Sequence, residues 1–186
     1  AIRAKAAELP KGTWIAGRGW DEGKLAEQRL ITARDIDAAS PDHPVYLTQT
    51  TGHYGVANSL AMKLAGVSKD TKDPPAGTID RDAQGNPTGV LKEGAQGLVR
   101  RLIPPRTAAQ SEQAIREMAK AFVAEGMTGA KDPGISGATF DLYRKVAADG
   151  ALPVRIFALW SSGRSVDAAK QLIAERAAST RPYVST

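Results

Sequence analysis

The apolar residues follow two different patterns on either side of residue 105. From residue 12 to residue 91, short β-prone runs are separated by Gly, Pro, Asn and Asp, which is typical of strands joined by turns. This pattern predicts a small α+β module over residues 12–105. The predicted strands lie at Thr13–Trp20, Val45–Thr50, Gly77–Asp80 and Thr88–Leu91.

Two local signals in this first half are specific. The Asp-Ala-Gln-Gly-Asn string between Asp80 and Pro87 supplies turn residues that predict a hairpin. A short helix is predicted after Asn58, because Asn58 can accept hydrogen bonds from the first-turn amides and Gly66 can end the helix in the left-handed conformation.

The second half, residues 106–186, alternates helices and strands. Thr107 and Gln110 form a predicted capping box for a helix that ends at Gly126. A strand–helix–strand–helix order at this spacing predicts parallel βαβ units. The elements that follow are strand Met127–Lys131, helix Ala138–Ala148, strand Pro153–Trp160, whose nearly continuous apolar run is typical of buried parallel strands, and a helix capped by Ser165 with Val166, Ala169, Leu172 and Ile173 on one side.

Two βα units do not make a stable sheet by themselves, so we expect an α/β fold in which about two βα units form part of a (β/α)8 barrel. A helix tail at Ile2–Leu9 and a further strand from Tyr183 fit this interpretation. If the segment stands alone, it should expose Val154, Phe157 and Leu159 and self-associate, so a homo-oligomer stays among the expectations.

Composition narrows the function classes. The net charge is +5, but basic and acidic residues alternate and aromatics make up only 5%, so we expect no nucleic-acid partner. No apolar run approaches the roughly 20 residues of a membrane helix, so we expect no membrane span. The absence of Cys excludes disulfides and thiolate metal sites, and it is equally compatible with the cytoplasm and the periplasm.

Few residues carry a chemical signal. Of the two histidines, His43 lies in a turn and is expected to face solvent or to act as a cap. His53 follows a strand and could project into a cleft, although a structural role with internal hydrogen bonds is the commoner case for such a residue. Asp132 follows a predicted strand, where barrel enzymes place functional side chains, although a loop-capping role fits equally well. With no H-x-H or H-E-x-x-H motif, the spacing predicts no metal site in this chain.

Five ordered blocks of residues cover nearly the whole chain: Trp14-Ile-Ala-Gly-Arg-Gly-Trp-Asp21, Arg34–Val45, the Gly52-His53, Asn58–Ala61 and Ala65-Gly66 group, Gly77–Glu93, and Glu125–Gly134 with Leu152-Pro-Val-Arg155. Together these blocks resemble amidohydrolase family 3, the YtcJ-like branch of metal-dependent hydrolases. One departure lies at Ile31-Thr-Ala-Arg34, where the family usually reads Pro-Thr-Arg.

The resemblance implies a barrel enzyme that hydrolyses C–N bonds of amides, N-acyl or N-formyl compounds with a divalent metal, zinc. Family metals are held by an H-x-H pair on the first strand, Lys on the fourth, His on the fifth and sixth, and Asp on the eighth, all at positions that this chain does not match. Residues 12–105 would be the insertion after the first barrel strand, and the second half the second and third βα units. The segment would then form a lid and part of the pocket wall for a small-molecule amide.

Five residues in the matching blocks are predicted to face the substrate: Trp20, His53, Asn58, Glu93 and Asp132. Each also has a structural interpretation: Trp20 as a core residue, Asn58 as a helix cap, Glu93 as a surface charge. The other function that we consider is a stand-alone binding or regulatory module without catalysis.

Overall fold

The computed structural model describes residues 1–161 and 165–177. It divides into two compact units, Ala1–Pro104 and the part of the chain from Pro105 onward. No helix in the described part of the chain is both long and apolar enough to span a membrane. The further strand expected from Tyr183 lies outside the described residues.

The first unit is built on a five-stranded mixed sheet. Its order is β1-β2-β3-β5-β4, in which β1 and β2 are parallel and the other neighbours are antiparallel. Short 3-10 turns follow β1 and β5. The elements are α1 (Ile2–Glu8), β1 (Ile15–Trp20), α2 (Ala33–Asp37), β2 (Val45–Gln49), β3 (Tyr54–Ala57), α3 (Ser59–Leu64), β4 (Gly77–Arg81), β5 (Pro87–Glu93) and α4 (Gly97–Arg100).

Alternate residues of the central strands enter two separate cores, as the two-residue period of a strand requires. Tyr46, Ala57 and Leu91 pack on one face with α3 and α4, whereas Val45, Val56 and Val90 pack on the other face with α1 and α2. The predicted β4–β5 hairpin and the helix after Asn58 are confirmed.

Strand β3 has no counterpart in the sequence prediction. Its first residues read as a turn, because Gly52 and Gly55 flank His53 and Tyr54. Gly55 is required by packing: a Cβ there would lie 2.5 Å from the Tyr46 hydroxyl oxygen and 2.9 Å from the Leu47 carbonyl oxygen. The glycine that obscures the strand pattern is therefore what allows the strand to pair with β2.

The second unit contains a parallel strand pair covered by helices. It consists of α5 (Ala108–Ala124), β6 (Gly129–Ile135), α6 (Gly137–Ala148), β7 (Arg155–Trp160) and α7 (Val166–Ala177). The parallel β6–α6–β7 unit, the Thr107–Gln110 capping box and the Ser165 cap are confirmed. Residues 1–161 and 165–177 form no closed barrel, and the barrel stays a prediction.

Several details of the second unit differ from the prediction. Residues of β7 alternate between covered and exposed, with Phe157 42% and Leu159 49% exposed, because the helices in the described part of this unit pack on one face of the strand pair. Val154 is buried in the helix-covered core, so its predicted exposure is wrong. On α7, Val166 and Ile173 are exposed rather than packed.

Candidate functional site

The sheet of the first unit brings distant residues together at one edge. Because β1 and β2 run parallel and β3 and β5 alternate in direction, the ends of β1, β2 and β5 and the start of β3 meet there. Three of the predicted site residues, Trp20, His53 and Glu93, lie at this edge. We call these three residues with Glu22, Gln49 and Tyr54 the edge cluster.

A carboxylate and a phenol form the inner part of the edge cluster. The Glu22 carboxylate accepts hydrogen bonds from the Tyr54 hydroxyl and from the Gln49 side-chain amide, the latter at 3.2 Å. The hydrogen bond from Tyr54 lowers the pKa of Glu22. Burial, together with the Glu22 contact, raises the pKa of Tyr54 to about 12. At neutral pH the pair is therefore a fixed anion beside a protonated phenol.

Trp20 supplies an aromatic surface next to this pair. Its ring meets the Tyr54 ring edge to face, with centroids 5.8 Å apart, and its indole N–H donates to the Leu47 carbonyl oxygen at 3.2 Å. Trp20 and Leu47 also line an apolar cleft of about 370 Å³. A cleft of this size and character suits an apolar group of a small ligand.

His53 and Glu93 form the outer part of the edge cluster. The His53 Nδ1 lies 2.8 Å from the Glu93 Oε1, and the Glu93 backbone N–H donates to the His53 carbonyl oxygen, also at 2.8 Å. The two side chains remain 70% and 59% exposed. We call this pair the His53–Glu93 dyad.

Glu93 has a backbone conformation that disfavours a side chain. Its φ of 46° and ψ of −123° match the first central residue of a type II′ turn, where glycine dominates. A non-glycine residue there costs about 1–3 kcal/mol, and such residues cluster at functional sites.

The turn before β3 is shaped by the cluster itself. The Gln49 side-chain oxygen accepts hydrogen bonds from both the backbone N–H and the hydroxyl of Thr51, each at 2.6 Å. The Thr51 hydroxyl in turn accepts from the backbone N–H of His53 at 3.4 Å. Gln49 therefore links the loop that carries His53 to the carboxylate of Glu22.

Asn58 lies at the opposite end of the sheet and is 1% exposed. Its Oδ1 accepts from the backbone N–H groups of Val45 and Ala61, and its Nδ2 donates to the carbonyl oxygens of Ser40 and His43. These hydrogen bonds are those of a helix cap, the structural alternative predicted for Asn58. They do not favour the other prediction, contact with substrate. His43 is buried as well, with Nδ1 3.0 Å from the Thr13 carbonyl oxygen, so its predicted solvent exposure is wrong.

Asp132 belongs to the second unit. It lies within β6, paired with Ala158, rather than after the strand as predicted. The Tyr143 hydroxyl of α6 donates to its Oδ2 at 2.7 Å, which places the carboxylate on the helix-covered face. Burial, together with this hydrogen bond, raises the pKa of Tyr143. The arrangement favours a structural role, and contact with substrate stays a prediction.

Sequence reasoning missed Glu22, Gln49 and Tyr54. Glu22 follows Trp20-Asp21 directly, but only the parallel pairing of β1 with β2 places it beside Gln49. Tyr54 belongs to the strand that the sequence did not predict. The signal available was the position of all three residues at or next to strand ends.

Among residues 1–161 and 165–177, no group of three or more His, Cys, Asp or Glu side chains lies close enough to hold a metal ion. The edge cluster offers hydrogen bonding at two places: through the imidazole and carboxylate of the His53–Glu93 dyad, and through the Glu22 carboxylate beside the Trp20 and Tyr54 rings.

The chain is similar to known hydrolases over most of its length. It is 34% identical over 160 residues to the putative amidohydrolase YtcJ of Bacillus subtilis, covering 83% of this chain and 30% of that protein. It is 31% identical over 162 residues to the N-substituted formamide deformylase of Arthrobacter pascens, covering 82% of this chain and 29% of that protein.

A solved structure shares the fold. An uncharacterized metal-dependent hydrolase from Pyrococcus horikoshii matches with a TM-score of 0.53 at 22% identity, over 94% of this chain and 33% of that one. The chain thus spans about a third of the length of the proteins that it matches. The amidohydrolase family model matches residues 1–182. The five sequence blocks, the mixed α/β fold and these comparisons establish that this chain belongs to the amidohydrolase family.

Proposed function

We propose that this chain forms the lid and part of the pocket wall of a metal-dependent hydrolase that cleaves a C–N bond in an amide, N-acyl or N-formyl compound. The observation that carries the proposal is the edge cluster, in which residues from four strands and two loops converge although Trp20 and Glu93 are 73 positions apart. Family membership supplies the reaction class.

The proposal assigns residues 12–105 to an insertion after the first barrel strand and residues 106–186 to the second and third βα units. Two observations support it: the parallel β6–α6–β7 unit, and the coverage of about a third of the matched hydrolases. For the metal we propose zinc, held by side chains outside this segment, as the family resemblance implies.

The edge cluster suggests how a small amide would be held. The Trp20 ring and the apolar cleft beside it would bind an apolar substituent, while the dyad would contact the polar amide group. The name of the Arthrobacter relative specifies N-substituted formamides, and a molecule of that class has both an apolar substituent and a polar amide group. Covering the bound substrate would also exclude bulk water from the reacting group.

The test is hydrolysis by the complete gene product, with N-butylformamide as the probe. We expect formate release that stops when the metal is chelated and returns when zinc is added. His53→Ala should lower kcat/KM by about 10–100-fold, as expected for the loss of a positioned polar contact.

Asp42→Ala is the matched control. It breaks the exposed Lys11–Asp42 ion pair, also close at 2.9 Å, at the opposite end of the strands, and it should leave kcat/KM unchanged. Amide binding without hydrolysis under all metal conditions would contradict the proposal and favour a non-catalytic binding module.

A further inference from the structure

The His53–Glu93 dyad has a defined hydrogen-bonding direction. An ionised carboxylate can only accept hydrogen bonds, so the 2.8 Å contact requires the proton on the His53 Nδ1. In the neutral imidazole the other nitrogen, Nε2, then carries a lone pair and acts as an acceptor. Because the His53 side chain is 70% exposed, a ligand can reach that acceptor.

The backbone indicates that Glu93 serves more than folding stability. Glycine would adopt the φ of 46° at position 93 without strain, yet the chain places Glu there. The Glu93 side chain accepts a hydrogen bond from the His53 Nδ1, and because this contact lies between two exposed groups it contributes little to folding. A role in binding would explain why a residue whose side chain adds little stability occupies a strained position.

We propose that the His53 Nε2 accepts a hydrogen bond from the substrate's amide N–H, so that the enzyme selects secondary amides over tertiary amides. The inference rests on the proposed function of the edge cluster as a pocket wall. A secondary amide offers one N–H donor, which complements the acceptor that Glu93 fixes. A tertiary amide has no such donor, and its carbonyl oxygen is an acceptor like Nε2 itself.

The experiment compares two probes, N-butylformamide and N-butyl-N-methylformamide, with the complete gene product. They differ by one N-methyl group, which takes the place of the N–H donor. We expect the wild type to prefer the secondary formamide in kcat/KM by at least about tenfold. In His53→Phe the preference should fall to within about threefold, because the acceptor is lost.

His53→Gln is the conservative rescue variant. Its side-chain oxygen can act as an acceptor at a similar reach, so part of the preference should return. A merely structural role for His53 would lower the rates on both probes together and leave their ratio unchanged. An unchanged ratio in His53→Phe, or a wild type without preference, would overturn the inference while leaving the proposed function intact.

The Tm of a variant at position 93 tests whether Glu93 has a structural role. Glu93→Gly relieves the left-handed φ, so its Tm should be no lower than that of the wild type while the preference for the secondary formamide is lost. Ala76→Gly, which relieves a φ of 53° without removing the dyad, is the matched control and should keep the preference.

A clear drop in the Tm of Glu93→Gly would show a structural role and overturn the inference. Hydrolysis of neither amide would overturn the proposed function together with it.

Discussion

The two units of the chain bury their strands differently. In the first unit alternate residues of β2, β3 and β5 fill two cores, one on each face of the sheet. In the second unit the described residues form a core on one face of the β6–β7 pair, and Phe157 and Leu159 on the other face are 42% and 49% exposed.

The difference lies in how many faces of each sheet are covered. A sheet with apolar residues on both faces needs a layer on each side, which the first unit supplies from its own helices. The described residues of the second unit supply a layer on one face. The exposed apolar residues of β7 are the observation that fits a strand pair within a larger parallel sheet, whose strands are covered on both faces.

The largest expected effect is a difference in the free energy of unfolding between a buried and an exposed leucine variant. Leu91 is 0% exposed in the first unit, so Leu91→Ala should lower the free energy of unfolding by about 2–5 kcal/mol. Leu159→Ala removes an exposed side chain and should change that free energy by about 0.5 kcal/mol or less in the 186-residue chain. Urea unfolding measures both.

The same leucine pair tests what covers β7. If further strands and side chains cover that face in the complete gene product, Leu159→Ala should cost about 2 kcal/mol or more there. Equal, small effects of Leu159→Ala in both proteins would contradict the proposed place of the second unit in a barrel.

A smaller effect distinguishes two helix caps. Asn58 caps α3 from a buried position and also holds the Val45 amide, whereas Ser136 caps α6 at the surface. Asn58→Ala should cost about 2–3 kcal/mol, because it leaves buried backbone groups unpaired, and Ser136→Ala about 1 kcal/mol. Equal costs, measured by urea unfolding, would mean that burial of the Asn58 bonds adds nothing.

The smallest effect concerns pH. The hydrogen bond from Arg29 holds the pKa of Asp35 in the first unit well below its usual range, and Lys145 and Arg116 lower the pKa of Glu112 in the second. A lowered folded-state pKa gives stability that is present above the unfolded carboxyl range, near pH 4, and is lost as the pH falls. The urea midpoint should therefore decrease between about pH 6 and pH 3.

Single variants assign this pH dependence to each unit. Asp35→Asn and Glu112→Gln should each flatten the acid limb, because each removes one carboxylate whose pKa is lowered by folding. High salt should weaken both contributions, because Arg29 and Lys145 are 52% and 55% exposed. An acid limb with an unchanged slope in both variants would show that other carboxylates produce it.

Local signals predicted the elements that depend on neighbouring residues. Asn58 caps α3, Thr107 and Gln110 form a capping box, and Gly66 ends its helix with a φ of 68°. In each case the side chain or glycine lies within a few positions of the unpaired backbone groups at the helix end. The spacing in the sequence is therefore sufficient to predict the cap. The parallel β6–α6–β7 unit was predictable for a similar reason, since the length of the connection limits how two strands can pair.

The edge cluster shows the limit of that reasoning. His53 and Glu93 were predicted as separate candidates, but their 2.8 Å contact depends on the register of β3 against β5. Glu22, Gln49 and Tyr54 were missed, because a glycine-rich stretch conceals β3 and no local rule pairs β1 with β2. Asn58 and Asp132 carry the right chemistry, yet their side chains are committed to partners within the protein.

By itself the sequence determined the family, the positions of the caps and turns, and the change of pattern near residue 105, since all of these are written in residue type and short spacing. Only the tertiary structure decided which polar groups remain available to a ligand. Strand direction and register set which residues from distant parts of the chain meet at one edge, and burial sets which of their hydrogen bonds are already made.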